Sequence, residues 1–379
     1  ISEITEDSTS LGYAWIYITL STQLDSEQRL LSVNLLSKLF QRAPSVVGVN
    51  VIKALEERIQ KEDKQAASED SLTYRYITPL FNALAQDIED KKVLSQLLVE
   101  MLIVSQYKDF HLKNGWAGLV LSAKLDPSAI VKEYSEKILG KMKDIMGNKE
   151  FAKTSYGNAA IKSISYASFI NPQVMAPIIS ELLTSDLQAC QLSKLSDDDI
   201  KIWRGNDGEL VFNVLETSNS KSLENKNTKD YETLKWEESI RKKQAKKNNG
   251  FKKLTKEEQI IVDEELEKES KIRAKVCSIS LALDRSIQII KQLARDAIQV
   301  DNGSAIWFPT AVTRLLDIVQ QQKCFELVSE EGVKAFLDLS LIMSDSLGSM
   351  RYFLGLAILR VYGAAGIPKS LTEEPLLEL

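Results

Sequence analysis

The chain has 379 residues, 44% of them hydrophobic, with a formal charge of −5 and a pI near 5.4. Single helical cores stop growing near roughly 250–300 residues, so this length implies several units or an extended array. The acidic balance argues against a whole-molecule nucleic-acid binder and leaves room only for a local basic patch.

Cys190, Cys277 and Cys324 are odd in number and widely separated. They suggest neither a disulfide framework nor a CxxC metal site, and they fit a reducing, cytoplasmic setting. In that setting the Asn302-Gly303-Ser304 sequon carries no glycan. No apolar run reaches the roughly 18 residues of a membrane span, and no secretory signal pattern is present. Ile1 at the start and Glu374-Pro375-Leu376-Leu377 near the end read as mid-protein sequence, so a piece of something longer is expected.

Leu11 to Leu20 is apolar nearly all round, which predicts a helix covered on both sides. Asp25-Ser26-Glu27-Gln28 then supplies an N-cap with Gln three positions on, feeding Leu30, Leu31, Val33, Leu36 and Leu39 at helical spacing. Pro44 opens a third helix, with Val47, Val51, Ile52, Leu55 and Ile59 on one face and a solvated end from Glu56 to Lys64. Further helices are expected from Tyr76-Ile77-Thr78-Pro79, from Lys91 to Val104, and from Gly115 to Leu125. Asp126-Pro127 and Asn171-Pro172 each give a cap and a pre-set first helical residue. The first starts a helix running to Gly147.

Pro79, Pro177 and Pro309 each fall inside the early part of an apolar helix, which bends it. A curved stack of hairpins accommodates such bends, and helix pairs of about 40 residues match the period of HEAT or armadillo arrays. Past Cys190 the pattern weakens. Ser196-Asp197-Asp198-Asp199 caps a short helix, Gly205-Asn206-Asp207-Gly208 marks a turn, and Glu209 to Leu215 suits a short extended segment.

From Asn219 to Val276 charge replaces apolar periodicity. Arg241, Lys242, Lys243, Lys246, Lys247, Lys252, Lys253 and Lys256 follow one another with no acid between them. Glu257, Glu258, Asp263, Glu264, Glu265, Glu267 and Glu269 then reverse the sign, and Thr255 with Glu258 forms a capping box for a helix that runs unbroken toward Val300. Its first half is read as projecting. Its second half, with Ile279, Leu283, Ile287, Ile290, Ala294 and Ala297 at packed spacing, is read as docked. Trp307 to Val319, Gly332 to Met343 and Leu347 to Val361 resume the helix pairs.

Three readings of the basic block stand together. A like-charge run is commonly a solvated face; lysines on phosphates gain from counterion release, so the block suits RNA; and the two charge blocks could neutralise each other. Catalytic chemistry is absent by pattern. His111 is the single histidine, and no GxxxxGK[ST], GxGxxG, GxSxG or HExxH occurs. Asp197, Asp198 and Asp199 read as first-turn acids at the positive helix end rather than metal ligands. Trp203, Trp236 and Trp307 read as core or partner contacts, and only Cys277 approaches a basic setting. No catalytic, cofactor-binding or metal-binding residue is assigned.

Gly208-Glu209-Leu210, Trp236-Glu237-Glu238, Lys252-Lys253-Leu254-Thr255-Lys256-Glu257-Glu258-Gln259 and Leu266-Glu267-Lys268-Glu269, leading to Ile272-Arg273-Ala274-Lys275-Val276, resemble a known linker. It is the linker within the N-terminal HEAT array of the giant translational activators of the general control pathway. The resemblance implies a fragment of a ribosome-associated scaffold. Such a scaffold binds stalled or collided ribosomes, activates the amino-acid-starvation kinase acting on translation initiation factor two alpha, and works with an ATP-binding-cassette protein. The expected fold is all-α, a HEAT/armadillo-like α-solenoid of stacked helix hairpins with a long charged helical insertion. Residues 1–205 form helix pairs, 206–276 the charged linker with a projecting helix, and 277–379 resumed pairs. A non-enzymatic scaffold without cofactor, membrane contact or small-molecule substrate follows, the basic block being its candidate RNA or ribosome contact. The rival readings are a generic adaptor or transport-receptor solenoid with an acid-lined inner face, and an enzyme of unfamiliar helical fold.

Overall fold

The computed structural model describes residues 25–64, 82, 85, 89–107, 115–212, 256–297, 300–319, 321 and 323–328. Twelve helices and no strand occur among these. They are α1 (Ser26–Arg42), α2 (Pro44–Lys64), α3 (Lys91–Ser105), α4 (Gly115–Ser122), α5 (Pro127–Met146), α6 (Ser155–Ile170), α7 (Pro172–Asp186), α8 (Ala189–Ser193), α9 (Asp197–Arg204), α10 (Lys256–Ala297), α11 (Ser304–Val319) and α12 (Cys324–Leu327). The fold is the all-α stack of helix hairpins expected of a HEAT-type solenoid.

Local chemistry starts most of these helices where the sequence places them. The Asp25 carboxylate accepts the Gln28 amide at 2.8 Å while Gln28 returns a bond to the Asp25 amide, a complete capping box. Asp126 and Asn171 accept from Ser128 and Val174, each ahead of a proline whose fixed φ suits the first helical position. Ser196 and Asp199 cap each other's amides at α9. Pro177 and Pro309 lie inside α7 and α11. Leu11 to Leu20, Pro79, Thr255 and the helices expected after Gly332 lie outside the described residues.

The chain's contacts cluster into two compact units, Ile1–Ser193 with Ser280–Leu379, and Lys194–Ile279. In the first unit α2 packs on α1 and α3, α6 on α3, α5 and α7, and α7 directly on α11. Its core includes Leu36, Leu55, Ile59, Trp116, Ile164 and Trp307, all at most 1% exposed. Trp116 donates its indole N–H to the Leu98 carbonyl at 2.8 Å, and Trp307 donates to Asn302 at 3.3 Å. Asn302 is itself fully buried, with its amide donating to the Leu293 carbonyl at 2.8 Å. Its side chain is therefore closed to glycosylation on structural grounds as well.

Three details differ from the sequence pattern. On α1 the buried line runs through Arg29, Ser32, Val33 and Leu36, while Leu30 and Leu31 are 62% and 61% exposed. Residues four and seven positions after Arg29 share its face, and Leu30 and Leu31 fall beside it. The solvated end expected from Glu56 is not solvated at its start, since Glu56 is drawn into an ion pair described below, and the side chains of residues 61–64 lie outside the described residues. Helix α6 carries no apolar stripe that stands out in sequence, because Ala159, Ala160, Ser163 and Ser168 share its buried surface with Ile161 and Ile164.

The second unit holds α9, the turn after it and α10 as far as Ile279. Gly208 has φ of +84, the left-handed region that glycine enters without strain. Glu209 to Phe212 form a bend rather than an extended strand. Helix α10 runs 42 residues.

Candidate functional site

Charged side chains are drawn into the interior of each unit. In the first unit α2, α3 and α5 place Glu56, Glu100 and Lys141 together. The Lys141 ammonium donates to the Glu56 carboxylate and, at 2.6 Å, to Glu100 Oε2; Lys137, one turn earlier, reaches Glu100 Oε1 at 2.7 Å. Tyr156 of α6 adds a hydrogen bond to Glu56. Backbone geometry leaves the helical range at Tyr134, and the neighbouring Ser135 hydroxyl turns back onto the Lys132 carbonyl, a bond that bends helices. Lys137 and Lys141 thus belong to the helical segment after this kink.

Burial raises the Glu56 carboxyl above its usual range even beside Lys141. Glu100 is also desolvated, but two ammonium groups outweigh that and hold it below the usual range. Burial alone would lower Lys141, and the two carboxylates reverse the sign. Burial pushes the Tyr156 phenol well up, and the Glu56 charge adds to that. The group is a closed network in which Lys141 is the shared cation. Beside it lies a cavity of about 600 Å³ lined by α2, α3 and α5.

In the second unit Glu269 and Arg273, one turn apart on α10, are 2% and 7% exposed. The guanidinium donates to the Ile202 carbonyl at 2.9 Å, the Glu209 carbonyl at 2.7 Å and Glu269 at 3.0 Å. Both Glu269 oxygens accept the Val211 amide at 3.2 Å. This staple fixes the end of α9 and the turn Gly205–Val211 to α10. A Cβ at Gly205 would lie 2.5 Å from Val211 Cγ2, so the chain needs glycine there to fold back this closely. Hydrophobic spacing alone predicts packing of α10 from Ile279 onward, yet burial begins at Glu269. Covered positions recur at alternating spacings of four and three, Val262, Leu266, Glu269, Arg273, Val276, Ser280, Leu283. Polar residues at the middle of that seam hide it from a hydrophobic pattern.

Of the candidate RNA contacts, Arg241, Lys242, Lys243, Lys246, Lys247, Lys252 and Lys253 lie outside the described residues. Lys256 opens α10, and its side chain lies outside them too. Three of the seven acids that follow have partners on their own helix. Glu265 pairs with Lys268 at 2.9 Å, Glu267 with Lys271 at 2.7 Å, and Glu269 with Arg273. A hydrogen bond from Lys271 holds the exposed Glu267 carboxyl below its ordinary range.

The remaining candidates resolve into structure. Asp198 pairs with Lys201 at 2.9 Å and Asp199 completes the α9 cap; no group of three metal-binding side chains occurs among the described residues. His111 and Trp236 lie outside them. Trp203 is half-buried with its indole N–H unpaired among the described residues, and Trp307 is core. Cys190 is exposed, Cys277 half-buried, and burial pushes the Cys324 thiol up to about 12, where it stays protonated. No described helix is long and apolar enough to cross a membrane.

Residues 2–134 match the family model described as "Generalcontrol nonderepressible 1 (Gcn1) N-terminal". Over 377 residues, the whole of this chain, the sequence is 42% identical to the Saccharomyces cerevisiae protein named eIF-2-alpha kinase activator GCN1. The chain spans 14% of that relative's length. No solved structure matches it. A match to the N-terminal family model and this identity sustained from end to end mean that the chain belongs to the Gcn1 family.

Proposed function

We propose that this chain is part of a non-enzymatic scaffold that associates with stalled or collided ribosomes and promotes activation of the kinase acting on translation initiation factor two alpha. The observation that carries this reading is the 42% identity, along the whole chain, to a protein named as activator of that kinase. The general-control kinase and an ATP-binding-cassette protein are its partners through the full-length scaffold, in the cytoplasm. A stack of helix pairs suits the role, because such arrays offer extended surfaces on which several partners are held together.

The basic block Arg241 to Lys256 is the proposed ribosome contact. Pairing of Glu265, Glu267 and Glu269 within α10 supports it, since three of the seven acids are then taken and fewer remain to neutralise the lysines. The rival adaptor reading, in which an acid-lined surface takes a basic peptide, is weakened at α2 and α3. There Glu56 and Glu100 are neutralised by Lys141 and Lys137.

Replacing Lys242, Lys243, Lys246, Lys247, Lys252 and Lys253 by Ala tests the contact. Co-sedimentation with ribosomes should fall, and its dependence on salt should become shallower, by roughly one in log–log slope for each phosphate that is no longer neutralised. A gradient profile unchanged by the six substitutions would remove the RNA role.

A further inference from the structure

We propose that the pocket between α6 and the end of α10 takes a single guanine base of single-stranded RNA. This deepens the ribosome reading, on which it rests for the source of the RNA. The pocket lies within the first unit and has a volume of about 280 Å³. Pockets for drug-sized ligands run to roughly 300–1,000 Å³, so this one has room for one ring system and little more.

Its walls come from two helix faces. On α6, Lys162, Ser165, Tyr166 and Phe169 follow the helical spacing of one face. Gln292 and Asp296 of α10 and Val300, just past its end, line the other side. Tyr166 is held by its hydroxyl, which accepts the Ala117 amide at 3.2 Å, and its ring lies 6.3 Å from that of Phe169 between centroids. Phe169 is nonetheless 44% exposed and Val300 37% exposed. Together they make an aromatic platform with an aliphatic edge that the described side chains leave open.

The polar groups decide which ring. Asp296 accepts the Ser165 hydroxyl at 2.5 Å and the Gln292 amide at 3.0 and 3.1 Å, all from neutral donors. A carboxylate offers about four lone-pair sites, so acceptor capacity remains. No Lys or Arg pairs with Asp296 among the described residues, and Lys162, exposed at the rim, has no ion-pair partner among them either. A ligand that satisfies both charges presents paired N–H donors to Asp296 and an anion to Lys162. Among the RNA bases only guanine carries two adjacent donors, N1–H and the N2 amino group, on its Watson–Crick edge, and its phosphate supplies the anion. Adenine, cytosine and uracil each set a ring nitrogen acceptor or a carbonyl against the carboxylate. An arginine side chain of a protein partner would also fork onto Asp296, but it would set a second cation beside Lys162.

The test measures binding of the 379-residue chain, by fluorescence anisotropy, to an RNA of about seven uridines with one guanosine at the centre, and follows ring-labelled Phe by NMR. Twins with adenosine or inosine at the centre and an arginine-bearing peptide are the other arms. The guanosine RNA should bind roughly tenfold more tightly than the adenosine twin and should shift the Phe169 ring signals. Inosine, which lacks the N2 amino group, should fall between them. Phe169→Ala should weaken the guanosine RNA at least fivefold with the melting temperature held. Lys162→Ala should lower the salt slope by about one. Asp296→Asn should abolish the preference for guanosine and leave the adenosine twin as it was. The basic block would contact phosphates whatever the base, so the six-alanine variant should weaken all three RNAs alike and keep the preference. The two readings therefore fail separately. Unchanged ribosome co-sedimentation of the six-alanine variant removes the RNA role of the basic block and leaves a measured guanosine preference standing. The pocket inference is overturned if no RNA binds, if the three RNAs bind equally, if the preference survives Asp296→Asn or binding is indifferent to Phe169→Ala, or if the arginine peptide shifts the Phe169 ring and RNA does not.

Discussion

Lys141 is a shared cation, two carboxylates drawing on its one ammonium. Lys141→Met leaves Glu56 and Glu100 together without their common cation, and removing one partner of such a group costs about 3 kcal/mol. Urea denaturation should show that loss, and Glu56→Gln with Glu100→Gln added to Lys141→Met should recover most of it. The pH dependence separates the two acids. Glu100 lies below its usual range when folded, so it adds stability above its unfolded pKa and loses that contribution as pH falls through its folded value. Glu56 lies above its usual range, so its protonation favours the folded state and opposes acid denaturation. Lys141 lies above its usual range, which gives a contribution that is complete below its unfolded pKa and lost as pH rises through the folded one. Glu100→Gln should therefore flatten the acid limb of the urea midpoint between about pH 5 and 3, and Glu56→Gln should not. The sequence places Glu56 in a solvated tail because only neighbours within a turn are visible there. Lys141 lies 85 residues away, and no local pattern announces it.

Elements are legible where their determinants are local. Asp25 with Gln28, Asp126-Pro127, Asn171-Pro172 and Ser196 with Asp199 each need only a few consecutive residues to set a helix start, and each acts as its sequence implies. Helix α6 is less visible, since serines that are buried and hydrogen-bonded, such as Ser163 to Ala160 and Ser168 to Asn302, look polar in a linear pattern. Helix α10 shows the same effect at higher charge. Glu269 and Arg273 read as part of an exposed charged run, yet they hold the turn after α9 in place. Arg273→Met should destabilise the second unit by about 3–5 kcal/mol, because Glu269 is left buried and unpaired and two carbonyls lose their donor. Arg273→Lys should rescue little of this. One ammonium lacks the planar fork that serves two carbonyls and a carboxylate together. Hydrogen exchange checks both substitutions: the Val211 amide should lose protection in each, while the amides of α3 and α6 keep theirs.

At the scale of the molecule, the helix stack continues through the contact of α7 with α11, although more than a hundred residues separate those helices in the chain. That contact is the reason to propose that the basic stretch is an insertion into one array rather than a boundary between two. Asp186, the last residue of α7, is held by Arg285 at 2.9 and 2.8 Å and by Ser286 at 2.9 Å, so the second half of α10 is tied to the same first unit. None of these ties draws on residues between Phe212 and Lys256. Removal of about Ser218 to Lys253 should therefore leave the cooperative melting transition and the far-ultraviolet helicity of the remaining chain largely intact. Closing a shorter loop costs little, since loop entropy changes only slowly with length. The same deletion should reduce ribosome co-sedimentation at least as far as the six-alanine variant does, because it removes the same six lysines together with Arg241. A cooperative transition abolished by the deletion would show that the stretch belongs to the fold. Co-sedimentation retained after deletion, with the transition intact, would place the ribosome contact on the helix stack instead.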